Sequence, residues 1–159
     1  MVKKTIGMII GAVLCIATAC ALDAGGGNTQ TAQTGAAGAG TMKITITVNG
    51  KTLTASLYDN SSARALVELL KKGAVTIEMH DYGNFEKVGD LPVSFPRNDT
   101  PTNTDAGDLI LYQGKSFVIY YDKNSWNFTP LGKLEGIAKV ELKALLGKGN
   151  VTAVLKNAE

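Results

Sequence analysis

A chain of 159 residues has room for one domain and a leader, and its charge argues against a nucleic-acid partner. The formal charge is +2, but without Lys3 and Lys4 near the N-terminus the basic residues only equal the 14 acidic ones, whereas a protein that grips phosphate backbones needs a basic surface. The only two cysteines, Cys15 and Cys20, lie in the same N-terminal stretch, so residues 42–159 form neither a disulfide nor a thiolate metal site.

Residues 1–4 form a positively charged start, residues 5–16 an apolar run, and Ala17-Thr18-Ala19 the small residues that signal peptidases require. Residues 1–19 therefore read as a signal peptide. Cys20, next in the chain, resembles the lipidated cysteine of a bacterial lipoprotein signal, with Ala17 where such signals most often carry leucine. Lipidation at Cys20, plain cleavage at the same site and an uncleaved helix over the 18 residues 5–22 are the three readings of this leader. Each exports the rest of the chain to the cell envelope, because the positive end stays inside. Residues 20–41 then form a lipid-anchored flexible linker. Its Gly, Ala, Thr and Gln composition buries too little apolar surface to fold, and its r.m.s. reach is roughly 25 Å.

The domain, residues 42–159, opens with two alternating stretches, 42–48 and 51–57, around Asn49-Gly50. That pair between period-two segments predicts a β-hairpin. Ser61 or Ser62 is placed to cap a helix over 62–72, with Ala65, Leu66, Leu69 and Leu70 on one face and Gly73 as the stop. Residues 74–80 alternate as a strand, and 81–108, with three prolines, read as one long irregular segment. Strands are expected at 109–112, 115–121, 125–128, 131–134 and 151–155, and a helix at 137–146 with Ile137, Val140, Ala144 and Leu145 facing inward. Many short strands with two short helices make a mainly β fold that closes, or nearly closes, into a barrel.

Several strings carry a family resemblance. Gly107-Asp108-Leu109-Ile110-Leu111-Tyr112, Phe117-Val118-Ile119-Tyr120-Tyr121 and Trp126-Asn127-Phe128-Thr129-Pro130-Leu131-Gly132-Lys133 resemble the bacterial cyclophilin-like domain family. The opening hairpin, the first helix and the closing segment fit as well, so the resemblance covers residues 42–157. It implies a closed cyclophilin-like β-barrel of about eight strands with two short helices. True cyclophilins isomerise prolyl bonds with a Phe-His-Arg string and a Gln-Gly-Gly-Asp string. Here the corresponding strand reads Met79-His80-Asp81-Tyr82, the second string is missing, and the only arginines are Arg64 and Arg97.

No Ser-His-Asp, Cys-His or phosphate-loop pattern stands out, and no catalytic residue, metal or cofactor is assigned. His80 lacks aligned carboxylates and reads as a rim histidine. Asp99, Asp105 and Asp108 with Asn98 and Asn103 lack calcium-loop spacing. Arg97 is suited to clamp an anion or to pair locally with Asp99 or Asp105. Of the adjacent Tyr120 and Tyr121, one is expected inside and the other outside. The leading expectation is a binding groove formed by His80, Tyr82, Phe95, Arg97 and Trp126, accepting a peptide, an envelope-protein segment or a small ligand. A prolyl isomerase acting on exported proteins is the alternative.

Overall fold

The structure, a computed structural model, describes residues 42–147 and 149–158. The leader, Cys20 and the linker lie outside the described residues. β1 (Lys43–Val48) and β2 (Lys51–Leu57) form the expected hairpin, and both turn residues adopt positive φ, 47° at Asn49 and 78° at Gly50. Ile44, Ile46 and Val48 of β1 and Leu53, Ala55 and Leu57 of β2 turn the apolar side of each alternation into the core.

Helix α1 (Ser61–Leu70) follows, and its cap differs from the expectation. Asn60, rather than either serine, accepts a hydrogen bond from the Ala63 amide at 2.9 Å. The buried Ser62 hydroxyl instead donates to the Pro96 carbonyl at 2.6 Å, tying helix to loop. The helix docks through Ala63, Leu66 and Leu70, with Ala65 and Leu69 only partly covered.

The segment read as irregular holds two strands. β3 (Val75–Tyr82) runs past His80 and turns at Gly83-Asn84 into β4 (Glu86–Asp90), and β5 (Thr100–Thr104) follows after a loop. Beyond β6 (Asp108–Tyr112) and β7 (Ser116–Tyr120), the two short strands expected at 125–134 are one, β8 (Asn124–Leu134). Its first half pairs with β5 and its second half with β6, with a register shift opposite Leu109 and Ile110 that accommodates Pro130. Helix α2 (Lys139–Leu146) starts later than expected and buries Leu142 and Leu146, leaving Val140 82% exposed. Gly147, at a φ of 62°, ends it, and β9 (Val151–Asn157) completes the chain.

The strands are hydrogen-bonded in the order β2-β1-β9-β3-β4-β7-β6-β8-β5, and a further pairing of β2 with β8 closes the first eight into a ring. Every pairing is antiparallel. β5 lies outside this ring, attached to β8. The fold is thus mainly β with two helices, as the sequence implied. At the closure Gly132 faces Leu57 across β2–β8 and Leu109 across β6–β8.

Two apolar clusters divide the buried residues. The larger lies inside the ring and beneath the helices. The smaller, Ile110, Val118, Tyr120 and Phe128, sits on the opposite face of the same strands, with Phe85 and Val88 packed against it. Tyr121 therefore joins the inner cluster and Tyr120 the outer one, and both are buried. The expectation that one of the two would face outward is right in direction. It misses that this outer face is itself covered.

Candidate functional site

The outer cluster forms the floor of a groove. Alternation along β3 and β4 puts His80 and Tyr82 on the same outer face as Glu86 and Val88, because side chains of a strand project to opposite sides in turn. Glu86 is in register with Tyr82 of β3 and with Tyr120 of β7. β8 brings Phe128 and Trp126 to the same side. A cavity of about 410 Å³ results, with His80, Tyr82, Glu86, Tyr120, Trp126 and Phe128 among its walls.

Aromatic rings run across it in a chain. Tyr82 meets Phe85 edge-on at 5.9 Å, Phe85 stacks on Tyr120 at 6.2 Å, Tyr120 meets Phe128 at 5.7 Å, and Tyr112 meets Phe128 edge-on at 6.3 Å. Offset and edge-to-face pairs of this kind add to the stabilisation from burial alone. Trp126, 66% exposed, and Tyr112 also line a second cavity with Arg97 and Asp99. Trp126 borders a third depression with Pro101 and Ser125. The surface is therefore a run of adjoining depressions with the indole on their shared wall.

Of the residues expected in a groove, the structure brings His80, Tyr82 and Trp126 around one cavity and Arg97 into the next. Phe95 is a correction. It is only 8% exposed and belongs to the inner core, packed with the buried residues inside the ring. Its backbone amide is held by the Gly114 carbonyl at 2.7 Å.

Arg97 adopts the local pairing. Its Nε donates to Asp99 Oδ2 at 2.9 Å, and Asp99 Oδ1 accepts from the Thr129 hydroxyl. Those hydrogen bonds hold the Asp99 carboxyl below its usual range. His80 is exposed at the groove edge.

Two groups in β4 escaped the sequence reading. Glu86 is 8% exposed, and its Oε2 is buried with no hydrogen-bond partner among the described residues. Burial raises its carboxyl pKa, while the neighbouring Tyr120 hydroxyl and His80 draw it back. That hydroxyl accepts from Asn124 Nδ2 at 3.3 Å and, through burial and the nearby carboxyl, is itself harder to ionise than a free phenol. The other group is Lys87, which points the opposite way and is fully buried. Its Nζ donates to Asp81 Oδ1 at 2.7 Å and to the carbonyls of Gly149 at 2.6 Å and Gly147 at 3.3 Å. An ammonium has three N–H donors, and all three are used. Tyr121 also donates to Asp81, at 2.5 Å. Burial works to raise the Asp81 carboxyl, but Lys87 and Tyr121 outweigh it and hold it below the ordinary value.

The sequence signal for β4 was present. Gly83-Asn84 is a turn signal, and both residues adopt a φ of 59° in a three-residue loop, 83–85, that pairs Tyr82 with Glu86. The turn points to a strand near Glu86, but not to which face Glu86 and Lys87 take, which follows from the pairing of Tyr82 with Glu86.

A family model described as "Cyclophilin-like family" matches residues 46–156. Among solved structures, the chain is similar to the solution structure of the hypothetical protein AF2241 from Archaeoglobus fulgidus. The TM-score is 0.56 at 15% identity, over 74% of this chain and 95% of that one. That likeness concerns the fold. No curated protein matches the chain.

Proposed function

Starting from the fact that the chain belongs to the cyclophilin-like family, we propose that its domain is a non-catalytic binding module whose outer groove accepts an extended protein segment. The observation that carries this reading is the setting of Trp126: an exposed indole on the shared wall of adjoining depressions, above a floor of packed rings. Aromatic side chains offer large contact area at small entropic cost, which is why they anchor recognition surfaces. An elongated groove suits an extended chain better than a compact ligand.

The isomerase alternative is the weaker one. Rotation about an amide faces a barrier of about 20 kcal/mol, and lowering it calls for a donor aimed at the twisted bond. Both arginines are engaged elsewhere, Arg64 with Asp59 at 2.8 Å and Arg97 with Asp99. After His80, where true cyclophilins carry arginine, Asp81 is committed to Lys87. The proposal also includes the leader: export through residues 1–19, a lipid on Cys20, and residues 20–41 as a tether at the envelope.

The test uses the full chain in detergent. Random hexapeptides displayed on phage are panned against it, and the selected peptides are titrated while following emission from the sole tryptophan, Trp126. A blue shift on binding, with Trp126→Ala weakening a labelled peptide and leaving the melting temperature in place, supports the groove. Selected peptides that leave the emission unmoved overturn it. An intact mass equal to residues 20–159 plus acyl chains, from native membranes, supports the anchor, and an unacylated soluble form overturns it.

A further inference from the structure

The position of Glu86 deepens the reading of the same groove. It is a carboxylate on a strand otherwise surrounded by rings, set between Tyr82 and Tyr120 by the register of β3, β4 and β7. Less than a tenth of it is exposed, yet it helps line the cavity, and Oε2 has no hydrogen-bond partner among the described residues. Lys87, next to it in sequence, is engaged on the inner face with Asp81, and Arg97 in the adjoining cavity with Asp99. That leaves the exposed His80 and the Tyr120 hydroxyl as the groups that act on the Glu86 carboxyl from the outer face. A buried carboxylate oxygen without a donor is expensive to keep. A ligand that brings an N–H donor and a positive charge removes that cost, and an apolar or anionic ligand does not.

The walls point to the same ligand. The faces of aromatic rings carry negative potential and attract a cation placed over them, and the cavity joins the rings of Tyr82, Tyr120, Phe128 and Trp126 to the Glu86 carboxylate. At about 410 Å³ it holds the end of a long side chain, while the depressions beyond Trp126 leave room for neighbouring residues of the same segment.

We propose that the groove selects protein segments presenting an arginine or lysine side chain, whose cationic end pairs with the Glu86 carboxylate between the aromatic walls. This rests on the reading of the groove as a peptide site. Burial raises the Glu86 carboxyl pKa, the direction expected of a site short of positive charge.

The experiment extends the phage selection on the full chain. Selected hexapeptides are resynthesised with each basic residue replaced by glutamine, and agmatine is titrated as a free guanidinium compound. The expected result is enrichment of arginine or lysine, binding to Glu86→Gln weakened about 10- to 100-fold, and binding to Tyr82→Leu weakened about two- to fivefold. Glu86→Gln is nearly isosteric, and the exposed Tyr82 provides a second variant that does not disturb the core. Peptides that shift Trp126 emission but lack basic residues and ignore Glu86→Gln overturn the cation proposal and leave the groove reading standing. Failure of every peptide to move Trp126 overturns both. Agmatine binding as tightly as the best peptide overturns the peptide source of the cation.

Discussion

Lys87 Nζ lies 2.7 Å from Asp81 Oδ1, and both side chains point away from the groove: the pair sits at the inner side of β3 and β4, where the lysine also holds two carbonyls just past the end of α2. A cation at a helix C-terminus complements the helix dipole, so one side chain joins two strands to a helix. Asp81, where the resemblance to true cyclophilins would place an arginine, thus serves the architecture here.

Replacing Lys87 by methionine leaves Asp81 without its counter-ion and two carbonyls without a donor. Removing one partner from a buried pair costs about 3 kcal/mol or more. Urea unfolding is expected to show a loss of that size, with part of it recovered when Asp81→Asn is added. A loss below about 1 kcal/mol would mean that the pair behaves as a surface ion pair.

Acid should unfold the domain in a defined direction. Asp81, Asp99, Asp122 and Glu135 are all held below their ordinary values, Asp122 at about 2. For Asp122 the causes are the hydrogen bonds from Lys139 and the Lys123 amide. A carboxyl with a lowered folded pKa contributes stability that is complete above its unfolded value and disappears as pH falls through the folded one. Urea midpoints are therefore expected to fall steadily from about pH 5 to about pH 2. Salt at about 1 M should weaken the exposed Asp122–Lys139 contribution and spare that of Asp81. A flat profile across this range contradicts the assignment.

Glu86 has the opposite sign. Its raised pKa means that the ionised carboxylate opposes folding above the unfolded value, and that the penalty is relieved as the group takes up a proton on acidification. Glu86→Gln should stabilise the free protein by about 1–3 kcal/mol near neutral pH, and the gain should shrink towards pH 4, roughly the ordinary carboxyl range. Melting curves of both proteins at the two pH values measure it. A variant less stable than the parent near neutral pH would show that the carboxylate is satisfied after all.

Gly132→Ala tests the ring closure. A Cβ there would run into the Ser56 carbonyl oxygen and lie 2.8 Å from Leu57 Cα. Backbone cannot yield as a flexible side chain does, so β8 must move away from β2. The expected cost is about 3 kcal/mol, and a substitution that is neutral in urea unfolding would show that the seam is looser than described.

How far the sequence could be read depended on whether a strand has one apolar face. β1 and β2 do, and Asn49-Gly50 fixes their register, so the hairpin was legible residue by residue. β4 does not: Glu86 is buried outward and Lys87 inward, so charge occupies both faces and the period-two signal vanishes. β5 contains Pro101 and three threonines, a composition tolerated because it attaches only to the outside of β8, where a proline without an amide donor does little harm. His80, Tyr82 and Trp126, which the structure gathers around one cavity, could be singled out because aromatics and a lone histidine stand out in a sequence. Glu86 could not, since its role depends on a cross-strand register that only the folded ring defines. Phe95 was misplaced for a related reason, as a single aromatic in a proline-rich loop carries no periodicity to show which way it points.

β1 lies between β2 and β9, paired on both sides along most of its length, and the Ala158 amide reaches back to the Lys43 carbonyl at 3.1 Å. Hydrogen bonds of an antiparallel ladder run perpendicular to the strands. A pull delivered through the residues that precede Lys43 therefore acts along β1 and across its bonds, so that both ladders share the load at once instead of parting one bond at a time. The start of β1 is in this sense a mechanical clamp against a pull directed along the strand.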